Sequence, residues 1–150
     1  MTLEWTSDME IHIPVIDSQH RRIVEYINKA EHAHNFHSQE ELLEVLDELV
    51  EYTQSHFTFE ETLMEEAGYP FINAHKKVHA LFIRRISAYH ASARAGEDVT
   101  EELIHTLKAW LVNHIKHDDR DYANVVRANI EEAAHRVKAR RGSWFNRLFG

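Results

Sequence analysis

The sequence predicts an all-α protein: an up-down-up-down antiparallel four-helix bundle with an extended N-terminal arm and a C-terminal helical extension. Three observations carry this expectation. Apolar residues recur at three- and four-residue spacings through four long stretches. Only 4 Gly and 2 Pro interrupt 150 residues, and the periodicity stops or restarts where they fall. The connections between stretches are short, which favours antiparallel neighbours.

Residues 1–16 read as an extended arm in which Trp5, Ile11, Ile13 and Ile16 are apolar and Pro14 blocks an early helix. Asp17 then stands as N-cap of a first helix of roughly Ser18–His37, with His20, Ile23, Val24, Ile27 and Ala30 on one face. Ser38-Gln-Glu-Glu41 is a capping-box pattern for a second helix that runs to Gly68. Its inner face holds Leu42, Leu46, Leu49, Val50, Thr53, His56, Phe57, Glu60, Leu63 and Met64. Pro70 suits a first helical position, so a third helix of roughly Phe71–Ala95 follows, with His75, His79, Phe82 and Ile86 in line and Gly96 as its stop. Asp98-Val-Thr-Glu101 repeats the capping-box pattern ahead of a fourth helix carrying Leu103, Leu107, Trp110, Leu111, His114 and Ile115. Residues Ala123–Arg141 form a weaker fifth. Residues 1–125 are thus expected to make the bundle and 126–150 an extension.

Composition removes several function classes. With no cysteine there is no disulfide framework, no thiolate nucleophile and no sulfur-ligated metal, so any metal must be held by nitrogen and oxygen. Thirteen histidines are a large excess for this length. Five of the 17 Lys/Arg and none of the 25 Asp/Glu fall in residues 136–150, which leaves a body of net charge −13 before a tail of +5. An acidic body argues against nucleic-acid binding. The N-terminus has neither the basic start nor the apolar run of a signal peptide. No stretch approaches the ~20 apolar residues that span a bilayer. A soluble, cytoplasmic protein is expected.

The histidine excess has a pattern. His56/Glu60 and His75/His79 each use the i, i+4 spacing that puts two side chains on one helix face. His20 and His114 sit on the apolar stripes of two other helices, where a polar group needs a partner. Asp119 lies five residues past His114, about 140° away on a regular helix. For both to reach one site the backbone must loosen, and a π-type turn at Ile115–Asp119 is expected. Any one of these histidines alone would be an ordinary surface or core residue; shared metal coordination satisfies all seven groups at once. Imidazole with carboxylate suits iron, copper, nickel or zinc and disfavours Mg²⁺ and Ca²⁺. The remaining histidines, His12, His32, His34, His37, His90, His105, His117 and His135, fit no ligand geometry with them and read as solvated.

Asp17-Ser-Gln-His20, His56-Phe-Thr-Phe-Glu60, His75-Lys-Lys-Val-His79 and His114-x-x-x-x-Asp119 together resemble the hemerythrin signature, and the resemblance spans roughly residues 3–125. It implies a cofactor of two non-haem iron ions bridged by Glu60, Asp119 and an oxo or hydroxo group. His75, His79 and His114 would fill one iron's coordination, while His20 and His56 hold the iron with a vacant position. It also implies an apolar O₂ pocket near Ile23, Trp110, Leu111 and Ile115, with Tyr122 and Trp5 farther out.

Ligand balance separates function classes. Di-iron enzymes that activate oxygen resemble one another in carrying about four carboxylates and two histidines, whereas this set has five neutral nitrogens to two anions. Neutral ligands make high-valent iron costly, so reversible O₂ binding by a carrier, store or delivery protein, and not an enzyme, is expected. The alternatives are an O₂ or redox sensor acting through a separate partner, and a di-iron oxidoreductase acting on NO or peroxide, for which only Tyr122 is visible as a general acid. The tail from Arg140 to Gly150 adds a basic, aromatic segment in which Ser143 caps a final turn. It reads as a peripheral membrane or protein contact through residues 136–150, with docking on its own acidic body or fraying as the plain alternatives.

Overall fold

A computed structural model describes residues 2–36 and 38–149, apart from the side chains at 143–145 and 149. It is the expected antiparallel bundle: α1 (Pro14–Asn35), α2 (Gln39–Ala67), α3 (Ile72–Arg94) and a fourth rod made of α4 (Thr100–Asn113), a π-helical turn (His114–Asp119) and α5 (Arg120–Phe149). Each of α1 and α3 packs against both α2 and α4, so the four rods close around one core. The inner faces read from the sequence are largely buried, from Ile23 and Ile27 on α1 to Leu103, Leu107 and Leu111 on α4, while Val50, Leu63 and Trp110 are half-buried at the edge of the core.

Helix starts differ from expectation in an instructive way. Pro14 opens α1 rather than blocking it, because its missing N–H and fixed φ suit a first helical position. Asp17 therefore lies inside the helix. Its buried carboxylate accepts the Ile11 N–H at 2.9 Å and holds the turn in which His12 adopts φ 62°. Ser38 does stand at the N-cap of α2, but its side chain makes no capping hydrogen bond. The cap of α4 is Val99, not Asp98, and it too lacks a side-chain bond. Packing of the apolar faces, rather than capping, sets these starts.

Helix ends follow the sequence closely. Gly68 takes φ 69° and Gly96 φ 89°, left-handed positions that glycine adopts without steric cost. Around Gly68, Tyr69 N–H returns to the Met64 carbonyl at 3.0 Å and closes the end of α2. The N-terminal arm includes a single 3₁₀ turn (Ser7–Met9) and buries Met9, Ile11 and Ile13. Asn28 on α1 holds it by a reciprocal pair of 2.9 Å hydrogen bonds with the Leu3 backbone.

The C-terminal extension is longer than expected and unbroken. α5 begins at Arg120 and continues through Gly142 and Ser143, so no new N-terminus exists there for Ser143 to cap. Val126 is the last buried residue among those described, and residues 131–142 are exposed. The described tail does not fold back on the acidic body.

Of the histidines read as solvated, His12, His32, His105, His117 and His135 are exposed, and His37 lies outside the described residues. His34 and His90 are half-buried instead. His90 on α3 meets Asp47 on α2 at 2.6 Å, so it ties two helices together.

Candidate metal centre

All seven predicted residues converge on one buried point, and none is more than 5% exposed. α1 contributes His20, α2 His56 and Glu60, and α3 His75 and His79. The π turn contributes His114 and Asp119. Its wider winding brings residues five apart onto one face, which resolves the spacing problem as expected.

The donor atoms form two groups, His75, His79, His114 and Asp119 in one, His20, His56 and Glu60 in the other. Within each group they lie within 4.8 Å of one another. Each carboxylate divides its oxygens between the groups. Asp119 Oδ1 lies 3.2 Å from His75 Nε2 and 3.1 Å from His114 Nε2, while Oδ2 lies 3.1 Å from His20 Nε2. Glu60 Oε1 contacts His56 Nε2 and lies 3.7 Å from His20 Nε2; its Oε2 lies 4.0 Å from His75 Nε2.

Three features fit metal ions at this point. Both ring nitrogens of His20, His75 Nε2, Glu60 Oε1 and both Asp119 oxygens are buried without a hydrogen-bond partner. A cluster of such groups is costly unless a cation satisfies them. His79 Nε2 and His114 Nε2 face each other at 3.0 Å. Two nitrogens bound to one ion at bond lengths of about 2.1 Å and at right angles lie about 3 Å apart. The donor set is nitrogen and oxygen only, as the absence of cysteine requires.

Electrostatics tell the same story. Burial pulls the His20 imidazole down, but Asp119 and Glu60 outweigh it and raise it to about 9. Burial likewise opposes charging of His114, and Asp119 with Asp118 brings it up to about 10. Burial and the Asp119 charge push Glu60 up, yet His56 and His20 hold it at about 2. Burial keeps His79 neutral, near 3. Without metal, protons on His20 and His114 supply the positive charge that two buried carboxylates demand.

Three orienting residues escaped the sequence analysis. His56 Nδ1 meets Gln19 Oε1 at 2.6 Å, His79 Nδ1 meets Glu61 Oε1 at 3.3 Å, and His114 Nδ1 meets Asp118 Oδ2 at 2.8 Å. Each contact occupies the far ring nitrogen and leaves Nε2 for the centre. A signal was available: Gln19, Glu61 and Asp118 each adjoin a site residue in sequence. Tyr122, fully buried, donates to Glu60 Oε2 at 2.8 Å, whereas Trp5 lies half-buried on the arm under the Arg21 guanidinium. Phe57 stacks on His79 and Trp110 on His114, with ring centroids 3.7 and 4.3 Å apart.

An enclosed cavity opens onto this centre, lined by His20, His56 and His114 together with Ile23, Trp110 and Leu111. Phe57 and Phe82 add aromatic walls, and Ile27, Thr53 and Leu107 complete the lining. Its volume, about 10 Å³ open to the centre of a water-sized sphere, holds roughly one such molecule. Ile115 is fully buried but is not among the lining residues; one position past His114, it is turned away from this face.

The pattern defining the Hemerythrin HHE cation binding domain matches residues 12–126. The chain belongs to the hemerythrin family. Among relatives, it is 50% identical to a bacteriohemerythrin of Pseudomonas aeruginosa over 146 residues, covering 97% of this chain and 94% of that one. A bacteriohemerythrin of Stenotrophomonas maltophilia is 48% identical over 145 residues, with the same coverage of both chains. The crystal structure of wild-type hemerythrin superposes with a TM-score of 0.79 at 29% identity, covering 84% of this chain and 98% of that one. The C-terminal extension is thus no private addition: the bacteriohemerythrin matches reach well beyond the domain that ends at residue 126.

Proposed function

We propose that this protein binds O₂ reversibly at a non-haem di-iron centre and serves as an oxygen carrier, store or delivery protein. The observation that carries this is a seven-donor buried cluster, five imidazoles to two carboxylates, opening onto a small enclosed cavity. His75, His79 and His114 with Asp119 would hold one ion, and His20 and His56 with Glu60 the other. The division of each carboxylate's oxygens between the two groups supports bridging roles for Glu60 and Asp119.

When bound, two ferrous ions supply the two electrons that O₂ takes on binding and returns on release. The chain's own residues do the rest. The apolar side chains of Ile23, Leu111 and Trp110 exclude water from the cavity, so charge there is not quenched by solvent. Tyr122, whose phenol burial and the Glu60 charge push well above its ordinary range, keeps its proton and spends it on Glu60. That proton is therefore committed to orienting a carboxylate, which weakens the case for an oxidoreductase. Gln19, Glu61 and Asp118 fix their histidine rings in place.

Residues 136–150 favour contact with an anionic lipid surface. They carry five cations and no acid; residues 136–149 extend as helix past the core, with Val137 and Leu148 about half exposed. Among the described residues no helix is long and apolar enough to cross a membrane, so such contact would be peripheral.

The decisive test is an absorption spectrum of the iron-loaded protein taken through repeated cycles of air and argon. A visible band that appears in air and vanishes in argon supports the carrier. A change in one direction only supports the oxidoreductase.

A further inference from the structure

Among the described residues Thr53 supplies the one hydroxyl in the cavity wall; apart from the three histidines and the indole of Trp110, its neighbours there are hydrocarbon or phenyl. It lies on α2, three residues before His56, and is only 2% exposed. Threonine in a helix ordinarily returns its hydroxyl to the carbonyl four residues back. Thr58 and Thr62, on the same helix, do so at 3.0 and 2.9 Å. Among the described residues Thr53 makes no such bond. Thr53 Oγ1 is not one of the fully enclosed unpartnered atoms, so on a residue only 2% exposed it keeps a little accessible surface, as a hydroxyl bordering a cavity does, and valine would fill the same volume without it. The cavity has room for about one water-sized molecule, so any occupant touches most of its wall.

We propose that the Thr53 hydroxyl is a hydrogen-bonding group for the cavity's ligand, donating to small molecules that carry negative charge at the centre. The inference rests on the di-iron reading above and deepens it: it names the residue that selects polar or anionic diatomic and triatomic ligands over inert ones. Its partner is the ligand itself, which is why the hydroxyl stands unpaired in the chain alone.

Azide is the probe, titrated into the iron-loaded, oxidised protein. Thr53→Val is expected to weaken azide binding about tenfold, the loss typical of one hydrogen bond to a charged acceptor. Thr53→Ser, which keeps the hydroxyl, should restore binding to within about twofold. A second readout uses the metal-free protein: Thr53→Val should melt at or above the wild-type temperature, because an unpaired hydroxyl has been removed. A fall in that melting temperature, or unchanged azide affinity in Thr53→Val, overturns the proposal. Wild-type protein that loads iron but shows no reversible O₂ band would instead overturn the functional reading beneath it. Should Thr53→Val fail to fold, Thr53→Ala carries the same azide comparison.

Discussion

Tyr122 and Glu60, 62 positions apart in sequence, meet in the core at 2.8 Å, with neither side chain exposed to solvent. The bond joins the first turn of α5 to the C-terminal part of α2, so it couples the closing of the bundle to the orientation of a carboxylate. Tyr122→Phe would leave Glu60 Oε2 without a donor at almost no change in volume. The expected cost is about 1–3 kcal/mol in metal-free stability, measured by urea unfolding. Loss of an outer-shell partner should also weaken metal retention by about 10–100-fold, read by competition with a chelator. Wild-type behaviour in both measurements would show that the bond merely accompanies the fold.

Leu111 is 4% exposed and lines the cavity beside Trp110. Leu111→Ala would widen a space that now admits roughly one small molecule, and water would enter. Autoxidation of the oxygenated protein should then speed up several-fold, followed by stopped-flow absorbance. The same change should cost about 2–5 kcal/mol of stability, as buried Leu→Ala changes do. An unchanged autoxidation rate would refute the water-excluding role even if stability fell.

The metal-free protein should be most stable near pH 6.5. His20 and His114 are raised to about 9 and about 10 in the fold, so their contribution is complete below 6.5 and is lost as pH rises toward those values. His79 runs the other way: held near 3 by burial, it favours the fold when neutral, and its contribution is lost as pH falls below 6.5. Glu60, lowered to about 2, adds a further loss below its ordinary range. Each group changes stability by about 1.4 kcal/mol per pH unit at most. Chemical unfolding from pH 5 to 9 checks this. Metal-loaded protein should lack the alkaline decline, because bound imidazoles are already neutral. A flat profile for the metal-free protein would show that the site's charges are compensated in some other way.

The sequence carried much of this site because ligand chemistry and helix periodicity coincide. His56/Glu60 and His75/His79 are visible as i, i+4 pairs, and the misfit of Asp119 to a regular helix already required the π turn found at His114–Asp119. Of the three orienting residues that escaped, Asp118 lies an i, i+4 step from His114, and the other two are set by contacts across helices. Gln19 reaches His56 from another helix and Glu61 reaches His79 from α2, and no periodicity announces such pairings. The capping boxes marked the starts, Ser38 at the N-cap of α2 and Val99, one past Asp98, at that of α4, but no side-chain capping bond forms at either, and long apolar faces fix them instead. The expectation that Pro14 blocks a helix fails because the residue stands at the first helical position, with Ile13 and Ile16 buried around it.

Asp118 tests whether orientation alone matters at His114. Its carboxylate, held below the ordinary range by the hydrogen bond from His114, is 2.8 Å from that ring's Nδ1 and contacts the centre only through the ring. Asp118→Asn keeps the shape and an acceptor but removes the charge. Metal affinity should fall about tenfold with the fold intact, and Asp118→Ala should fall further. Chelator competition on the three proteins gives the order. Equal affinity in all three would mean that stacking on Trp110 suffices to hold the ring.

The tail can be removed without disturbing the core, since Val126 is the last buried residue described and residues 131–142 are exposed. A 1–138 protein should therefore keep the wild-type melting temperature. Three of the tail's five cations, Arg140, Arg141 and Arg147, go with the deletion, and each basic residue near an anionic surface contributes about 1 kcal/mol. Full-length protein should co-sediment with vesicles containing phosphatidylserine far more than 1–138 does. Neutral vesicles should recover neither, and raising salt to 0.5 M should abolish the difference because the attraction is screened. Equal partitioning of the two proteins at low salt would exclude lipid contact and leave a protein partner as the tail's target.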